Sequence, residues 1–154
     1  LHLPLSERRM QAREDLVGAL AKERSVADKA ARVLADEGNA ALPAVLRAAS
    51  AAPGAQRLRA LALARDLGAE DRVDRIDAYG GLLADPECDV RRAAARRLGE
   101  IGDPAALPRL KKAGQAKVET KGFFGKVRNA PACGASEADA AVRRIEAARL
   151  PQGH

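Results

Sequence analysis

The chain has 154 residues, enough for a hydrophobic core, and 47% of them are apolar although only 2% are aromatic. A core of Ala, Leu, Val and Ile favours closely packed helices and excludes an extensive β-sheet. The net charge of +6 suits an acidic partner, and no apolar run approaches the ~20 residues needed to cross a bilayer.

Amphipathic patterns of helical length recur along the chain, separated by Gly, Pro and Asp, and they predict one domain of repeated helix pairs. Because the sequence begins at Leu1 without Met, we expect it to be a piece of a longer protein. The predicted segments are an N-terminal cap helix (1–24), repeat 1 (25–52), repeat 2 (53–84), repeat 3 (85–113), a basic insertion rich in Gly and Phe (114–135) and a C-terminal helix with its tail (136–154).

Capping, glycine and apolar signals also occur in the cap helix and in the first two repeats. Ser6 is placed to cap the first helix, and Gly80 and Gly81 interrupt the second helix of repeat 2, because each Gly costs about 1 kcal/mol relative to Ala. The first helix of repeat 1 has its apolar residues at i, i+4, i+7 and i+8, namely Val26, Ala30, Val33 and Leu34. The same register is predicted for Leu34, Leu67 and Leu98.

Repeat 3 has the clearest helix signals. Asp85 and Pro86 are suited to open its first helix, and the run Gly102-Asp103-Pro104 ends that helix and opens the next. The predicted buried face consists of Val90, Ala94, Leu98 and Ile101. The sequence AAVRRI at 140–145 repeats AAARRL at 93–98, so a fourth copy is expected beyond the insertion.

The segment DPECDVRRAAARRLGEIGDPAALPRL, at 85–110, resembles HEAT repeats, in particular the short PBS-lyase HEAT-like variety. Residues 26–46 resemble it well, repeat 2 does so only at Leu67-Gly68, and the fourth copy only in its first helix. The resemblance implies an all-α solenoid, a superhelix of about four helical hairpins behind an N-terminal capping helix. Such arrays usually serve as scaffolds or docking surfaces, and the family likeness by itself implies no lyase or isomerase activity.

The insertion carries the strongest functional signal, because long irregular segments in compact domains are usually functional or disordered. It holds both phenylalanines of the chain and several lysines. We expect one Phe to pack back over the last repeat, since exposed Phe pairs are uncommon, and Phe124 to anchor a partner. The predicted partner-binding residues are Arg109, Lys112, Lys121, Phe123, Phe124, Lys126 and Arg128.

We therefore predict a non-catalytic docking or regulatory module in the cytoplasm that binds an acidic protein or peptide. No catalytic, cofactor or metal site is expected, because His2 and His154 lie at the two ends and no phosphate-binding loop occurs. Cys88 and Cys133 form no metal-binding motif and are expected to be reduced thiols.

Two alternatives remain open. The first is a nucleic-acid-binding helical-repeat module, although base stacking could use only Tyr79 and the two phenylalanines. Its phosphate contacts would come from a basic stripe consisting of Arg91, Arg92, Arg96 and Arg97. The second is a HEAT-like partner of a cofactor-attachment (lyase-type) enzyme, which only the family name suggests.

Overall fold

Helices dominate residues 3–151, the part of the chain that the computed structural model describes, and 72% of the structure is helical. The helices are α1 (Leu5–Ala19), α2 (Arg24–Glu37), α3 (Leu42–Ala51), α4 (Gly54–Asp66), α5 (Arg75–Gly80), α6 (Cys88–Ile101), α7 (Leu107–Gly114) and α8 (Ala135–Arg149). Two strands, β1 (Lys117–Lys121) and β2 (Val127–Pro131), form a hairpin between α7 and α8. The predicted all-α helical-repeat fold is confirmed. Within 3–151, no helix combines the length and the apolar character that crossing a membrane requires.

The chain divides inside α5 into two compact units, Leu1–Ala78 and Tyr79–His154. The first unit contains α1 to α4, and the second contains α6 to α8 with the hairpin. The predicted repeat boundaries within one domain stay a prediction.

In the first unit, α2 turns a different face inward from the one its apolar pattern predicts. Ala27, Ala30 and Leu34 are buried, whereas Val26 and Val33 are 40% and 46% exposed. The small Ala side chains let α2 lie close to its neighbours, so the two β-branched residues are left at the edge of the interface. In α4, Leu63 is the buried leucine near the end of the helix, and Leu67 lies just beyond the helix and is half-buried. The prediction that Leu67 is equivalent to Leu34 and Leu98 was therefore wrong.

Side chains of α4 satisfy carbonyl groups at the end of α1. Gln56 donates from Nε2 to the carbonyl of Val17 at 3.0 Å, and Arg59 donates from Nη1 to that of Leu20 at 2.6 Å. The last carbonyls of a helix have no partner within the helix, so these bonds fix α4 against α1. The predicted Ser6 cap is wrong, because α1 begins at Leu5 and has no side-chain cap.

In the second unit, α6 packs against α8 and α8 packs against α7. Val90, Ala94 and Leu98 are buried as predicted, and Ile101 is only half-buried because it ends the helix. Asp103 accepts a hydrogen bond from the backbone N–H of Ala105 at 2.8 Å, which confirms the predicted cap. The cap expected from Asp85 is wrong, since α6 begins three residues later, at Cys88.

Helices α6 and α8 lie very close together where Gly99 faces Ala141. A Cβ added to Gly99 would lie 2.9 Å from the Cβ of Ala141 and 3.1 Å from its Cα. Neither atom can rotate away, so only a residue without a side chain fits at this crossing. The predicted weakness at Gly80-Gly81 is also confirmed, because α5 ends at Gly80 and continues as a 3₁₀ turn over Gly81–Ala84.

The insertion is a β-hairpin rather than the expected irregular loop. Its register runs from Lys117 opposite Pro131 to Lys121 opposite Val127. Two strands without a hydrophobic core are marginally stable in water, so the hairpin depends on what holds its base. There the backbone N–H of Ala132 donates to the carbonyl of Ala116 at 2.8 Å.

A disulfide also holds the base, so the expectation of two reduced thiols was wrong. Cys88 and Cys133 are bonded with their Cα atoms 5.6 Å apart, within the usual range for disulfides. The hairpin reverses the chain and brings Cys133 back to the first turn of α6, a proximity that the 45-residue separation conceals. Arg91 reinforces the junction by donating from Nε to the carbonyl of Cys133 at 2.8 Å.

Gly99→Ala should lower the free energy of unfolding by about 1–3 kcal/mol, as overpacking usually does, although Ala is the better helix former. Gly18→Ala is the matched control, because a Cβ at Gly18, in the last turn of α1, meets no atom within 4 Å. Guanidinium denaturation should show this control at or above wild-type stability. Equal stability of the two variants would contradict the close approach of α6 and α8.

Breaking the disulfide should lower the free energy of unfolding by about 2–4 kcal/mol, because the bond restricts the unfolded chain. The measurement compares denaturation midpoints of the oxidised protein, the reduced protein and the double variant Cys88→Ser, Cys133→Ser. Amide hydrogen exchange of Val118 and Ala130 should accelerate more than that of Leu98. An unchanged midpoint would show that the hairpin base is held without the bond.

Candidate functional site

The tip of the hairpin exposes both phenylalanines of the chain. Phe123 and Phe124 are 102% and 89% exposed, and their rings pack edge to face with centroids 5.8 Å apart. The turn is closed by a hydrogen bond from the N–H of Gly122 to the carbonyl of Lys126 at 2.8 Å, and Gly125 adopts a φ of 73°. The expectation that one Phe would pack over the last repeat was wrong, because the two strands carry the pair away from the helices.

Strand alternation distributes the predicted cations between the two faces of the hairpin. Val118 and Arg128 lie on one face, since Val118 pairs with Ala130 and Thr120 pairs with Arg128. Lys121 lies on the opposite face, and Lys126 lies in the turn beside the phenylalanines. The predicted cations of the insertion therefore surround the hairpin instead of forming a single patch.

At the base of the hairpin, an open cavity of about 460 Å³ contains the two remaining predicted residues, Arg109 and Lys112. Its other lining residues come from the 3₁₀ turn and the residue before it, from α6, from the end of α7 and from the hairpin base: Gly80, Leu83, Ala84, Arg91, Ala113, Ala116, Val118 and Ala132. We call this the base cavity. Sequence analysis found its cations from their local excess but missed its apolar wall, whose residues are scattered over 50 positions and carry no common motif.

The predicted site thus falls into two clusters. Arg109 and Lys112 line the base cavity with Val118, whereas Phe123 and Phe124 lie five and six residues further along the chain. At roughly 3.3 Å per residue, the strand carries the aromatic pair about 15 Å from the cavity. The hairpin is the element that joins the two clusters.

The basic stripe of α6 is occupied by contacts within the protein. Arg91 donates to the carbonyls of Cys133, Asp85 and Pro86, and Arg97 pairs with Glu100 at 2.9 Å. Arg92 and Arg96 lie 3.3 and 3.7 Å from the carboxylate of Glu137 on α8. Arg91, Arg92 and Arg96 therefore link α6 to its surroundings, whereas the pair of Arg97 with Glu100 lies within α6.

Glu137 is the centre of this network. A hydrogen bond from the hydroxyl of Ser136, at 2.9 Å, lowers the pKa of its carboxyl below the ordinary value. The backbone N–H of Glu137 and the nearby charges of Arg92 and Arg96 act in the same direction. A carboxylate that stays ionised between two guanidinium groups is typical of a structural link between helices.

Comparison with known proteins identifies the helices beside the hairpin. Residues 90–113 match the family described as PBS lyase HEAT-like repeat. A stretch of 78 residues, 51% of the chain, is 32% identical to part of the serine/threonine-protein kinase pkn2 of Myxococcus xanthus, and it spans 9% of the length of that kinase. No solved structure matches the chain. The family match covers nearly all of α6 and α7, so this helix pair, which carries Arg109 and Lys112, is similar to a PBS lyase HEAT-like repeat.

Proposed function

We propose that this chain is a non-catalytic docking or regulatory module of a larger protein, and that it binds an acidic protein or peptide on its hairpin side. HEAT-like repeats are helical modules that typically serve protein interaction. The observation that carries the proposal is the exposure of Phe123 and Phe124 at the tip of a basic hairpin. The contact residues would be Arg109, Lys112, Lys121, Phe123, Phe124, Lys126 and Arg128.

The two kinds of side chain would contribute differently to binding. Burying a Phe side chain is worth about 1.5–3 kcal/mol, so the pair at the tip would supply most of the affinity and set the dissociation rate. The surrounding cations would accelerate encounter with an acidic surface and make that rate depend on salt.

The role of Glu137 in the fold supports the non-catalytic part of the proposal. The carboxyl whose pKa is clearly shifted, that of Glu137, is engaged in the structural link between α6 and α8. His2 and His154 lie outside the described residues.

Membership of a larger protein is supported by the similarity to a kinase of which the matched stretch spans 9%. The cytoplasmic location stays a prediction, and the disulfide between Cys88 and Cys133 weighs against it. Disulfides persist mainly in oxidising compartments, so the module would be most stable outside the reducing cytoplasm.

The contacts of the basic stripe disfavour the nucleic-acid alternative. Binding to phosphates would have to compete with the ion pairs that Arg92 and Arg96 form with Glu137. No contact in the described part of the chain favours a role beside a cofactor-attachment enzyme.

Replacing both Phe123 and Phe124 with Ala should reduce capture of the partner from source lysate about tenfold or more, because buried aromatic anchors dominate interface energies. Met10→Ala is the control, since Met10 is a 57% exposed apolar residue on α1. The captured proteins are quantified by mass spectrometry with and without nuclease. If nuclease abolishes capture and the double Phe variant captures as much as the unmodified protein, the docking proposal is overturned in favour of nucleic-acid binding.

A further inference from the structure

We propose that the base cavity is a receptor for one apolar side chain of an acidic peptide segment, whose flanking carboxylates are bound by Lys112 and Arg128. This inference rests on the proposed docking function and adds a second anchoring point to it. Phe123 and Phe124 at the tip would supply affinity for the partner, and the base cavity would make binding depend on the partner's amino-acid sequence.

The walls of the cavity suit an aliphatic side chain, and its size also leaves room for the peptide backbone that carries this side chain. Its volume of about 460 Å³ lies within the roughly 300–1,000 Å³ typical of ligand pockets. Leu83 and Val118 supply branched apolar surface, and four alanines leave the space between them open. Val118 is still 48% exposed, so its side chain is available to an incoming group.

The charges around the cavity have one sign. Three of its ten lining residues are cationic, namely Arg91, Arg109 and Lys112, and none is acidic. An apolar wall behind cations strengthens their field, so the opening attracts anions. Arg91 is held by three backbone carbonyls and contributes a fixed charge rather than a mobile donor.

The two α7 cations differ in how they are held. The side chain of Arg109 lies directly against Gly80, because a Cβ at that position would be 2.6 Å from its Cδ. Lys112 has no ion-pair partner among residues 3–151, whereas the adjacent Lys111 is paired with Glu146 at 2.8 Å. Lys112 is therefore the α7 lysine suited to bind a carboxylate from outside, and Lys111 is its natural control.

The hairpin determines the direction in which a bound peptide would extend from the base cavity. Arg128 lies on the same face as Val118, two residue pairs further along the ladder, which is about 7 Å along the strand at roughly 3.3 Å per residue. A peptide that extends along this face and places an apolar residue in the cavity would bring an acidic residue two positions away to Arg128. The cavity thus favours the pattern of an apolar residue with acidic neighbours over a phosphate group, which has no apolar part.

The test uses three synthetic peptides and the whole chain labelled with ¹⁵N. The first peptide is Ac-Glu-Asp-Leu-Glu-Asp-NH₂, the second has Gly in place of Leu, and the third keeps Leu but has Gln and Asn in place of the acids. Amide chemical shifts locate each peptide, and titration gives its dissociation constant. The first peptide should bind roughly tenfold or more tightly than either of the others and shift the amides of Ala84, Ala113 and Val118.

Variants separate the cavity from the charge around it. Ala113→Leu should place a branched side chain in the cavity and reduce the preference for the Leu peptide over the Gly peptide, while Ala147→Leu, on the exposed side of α8, should not. Lys112→Gln should weaken binding of both acidic peptides several-fold, and Lys111→Gln should change it much less.

The outcomes distinguish this inference from the function on which it rests. Equal affinity for the Leu and Gly peptides, or shifts confined to residues 121–128, would overturn the receptor proposal while leaving acidic docking intact. Absence of binding by any peptide at millimolar concentration would overturn it too, and partner capture that still depends on the phenylalanines would then preserve the docking function. If no peptide binds and capture does not depend on the phenylalanines, both proposals are overturned.

Discussion

The position of the hairpin relative to α6 is the constraint on which the candidate surface depends. A two-stranded sheet has no core of its own, and almost every residue of β1 and β2 is exposed. The orientation of the hairpin is therefore set at its base, by the disulfide to Cys88 and by the hydrogen bond that Arg91 donates to the carbonyl of Cys133. Both contacts arise from the first turn of α6, so this turn fixes the direction in which the strands leave the helices.

Helix α6 can hold the hairpin in place because the rest of α6 is itself held by contacts with α8. Gly99 lets it approach Ala141 on α8, and Arg92 and Arg96 are paired with Glu137 on the same helix. The arginines that look like a nucleic-acid stripe in the sequence are thus part of the support for the hairpin. The charges that we propose to contact a partner are found instead on α7 and on the hairpin itself.

Local signals explain which parts of this structure could be predicted from the sequence. Gly102 and Asp103 mark a helix boundary because one adopts a positive φ and the other accepts a backbone hydrogen bond, and both effects act within a few residues. The inner face of α2 was misjudged because alanine scores weakly as apolar yet packs best where helices lie close together. The hairpin escaped prediction because its strands have no buried face, and an alternating polar segment such as Lys117–Lys121 carries no hydrophobic period.

The candidate site was predictable only in part for a related reason. A local excess of Lys beside two Phe residues can be read from one stretch of sequence, whereas the base cavity needs Leu83, Arg109 and Val118 to meet in space. The disulfide is of the same kind, because its partners are separated by 45 residues and belong to no motif. Contacts between residues so distant in the sequence depend on how the whole chain folds, and a single sequence does not show this directly.

The isolation of the tip has a consequence for how the protein can change. Phe123 and Phe124 are exposed at the tip and add nothing to the packing of the helices, whereas the neighbouring glycines are required by the turn. New side chains at the two Phe positions would change the exposed surface of the tip without altering the scaffold that presents it. The hairpin is therefore a natural site for divergence between related proteins, and a convenient one for grafting foreign binding sequences onto a helical repeat.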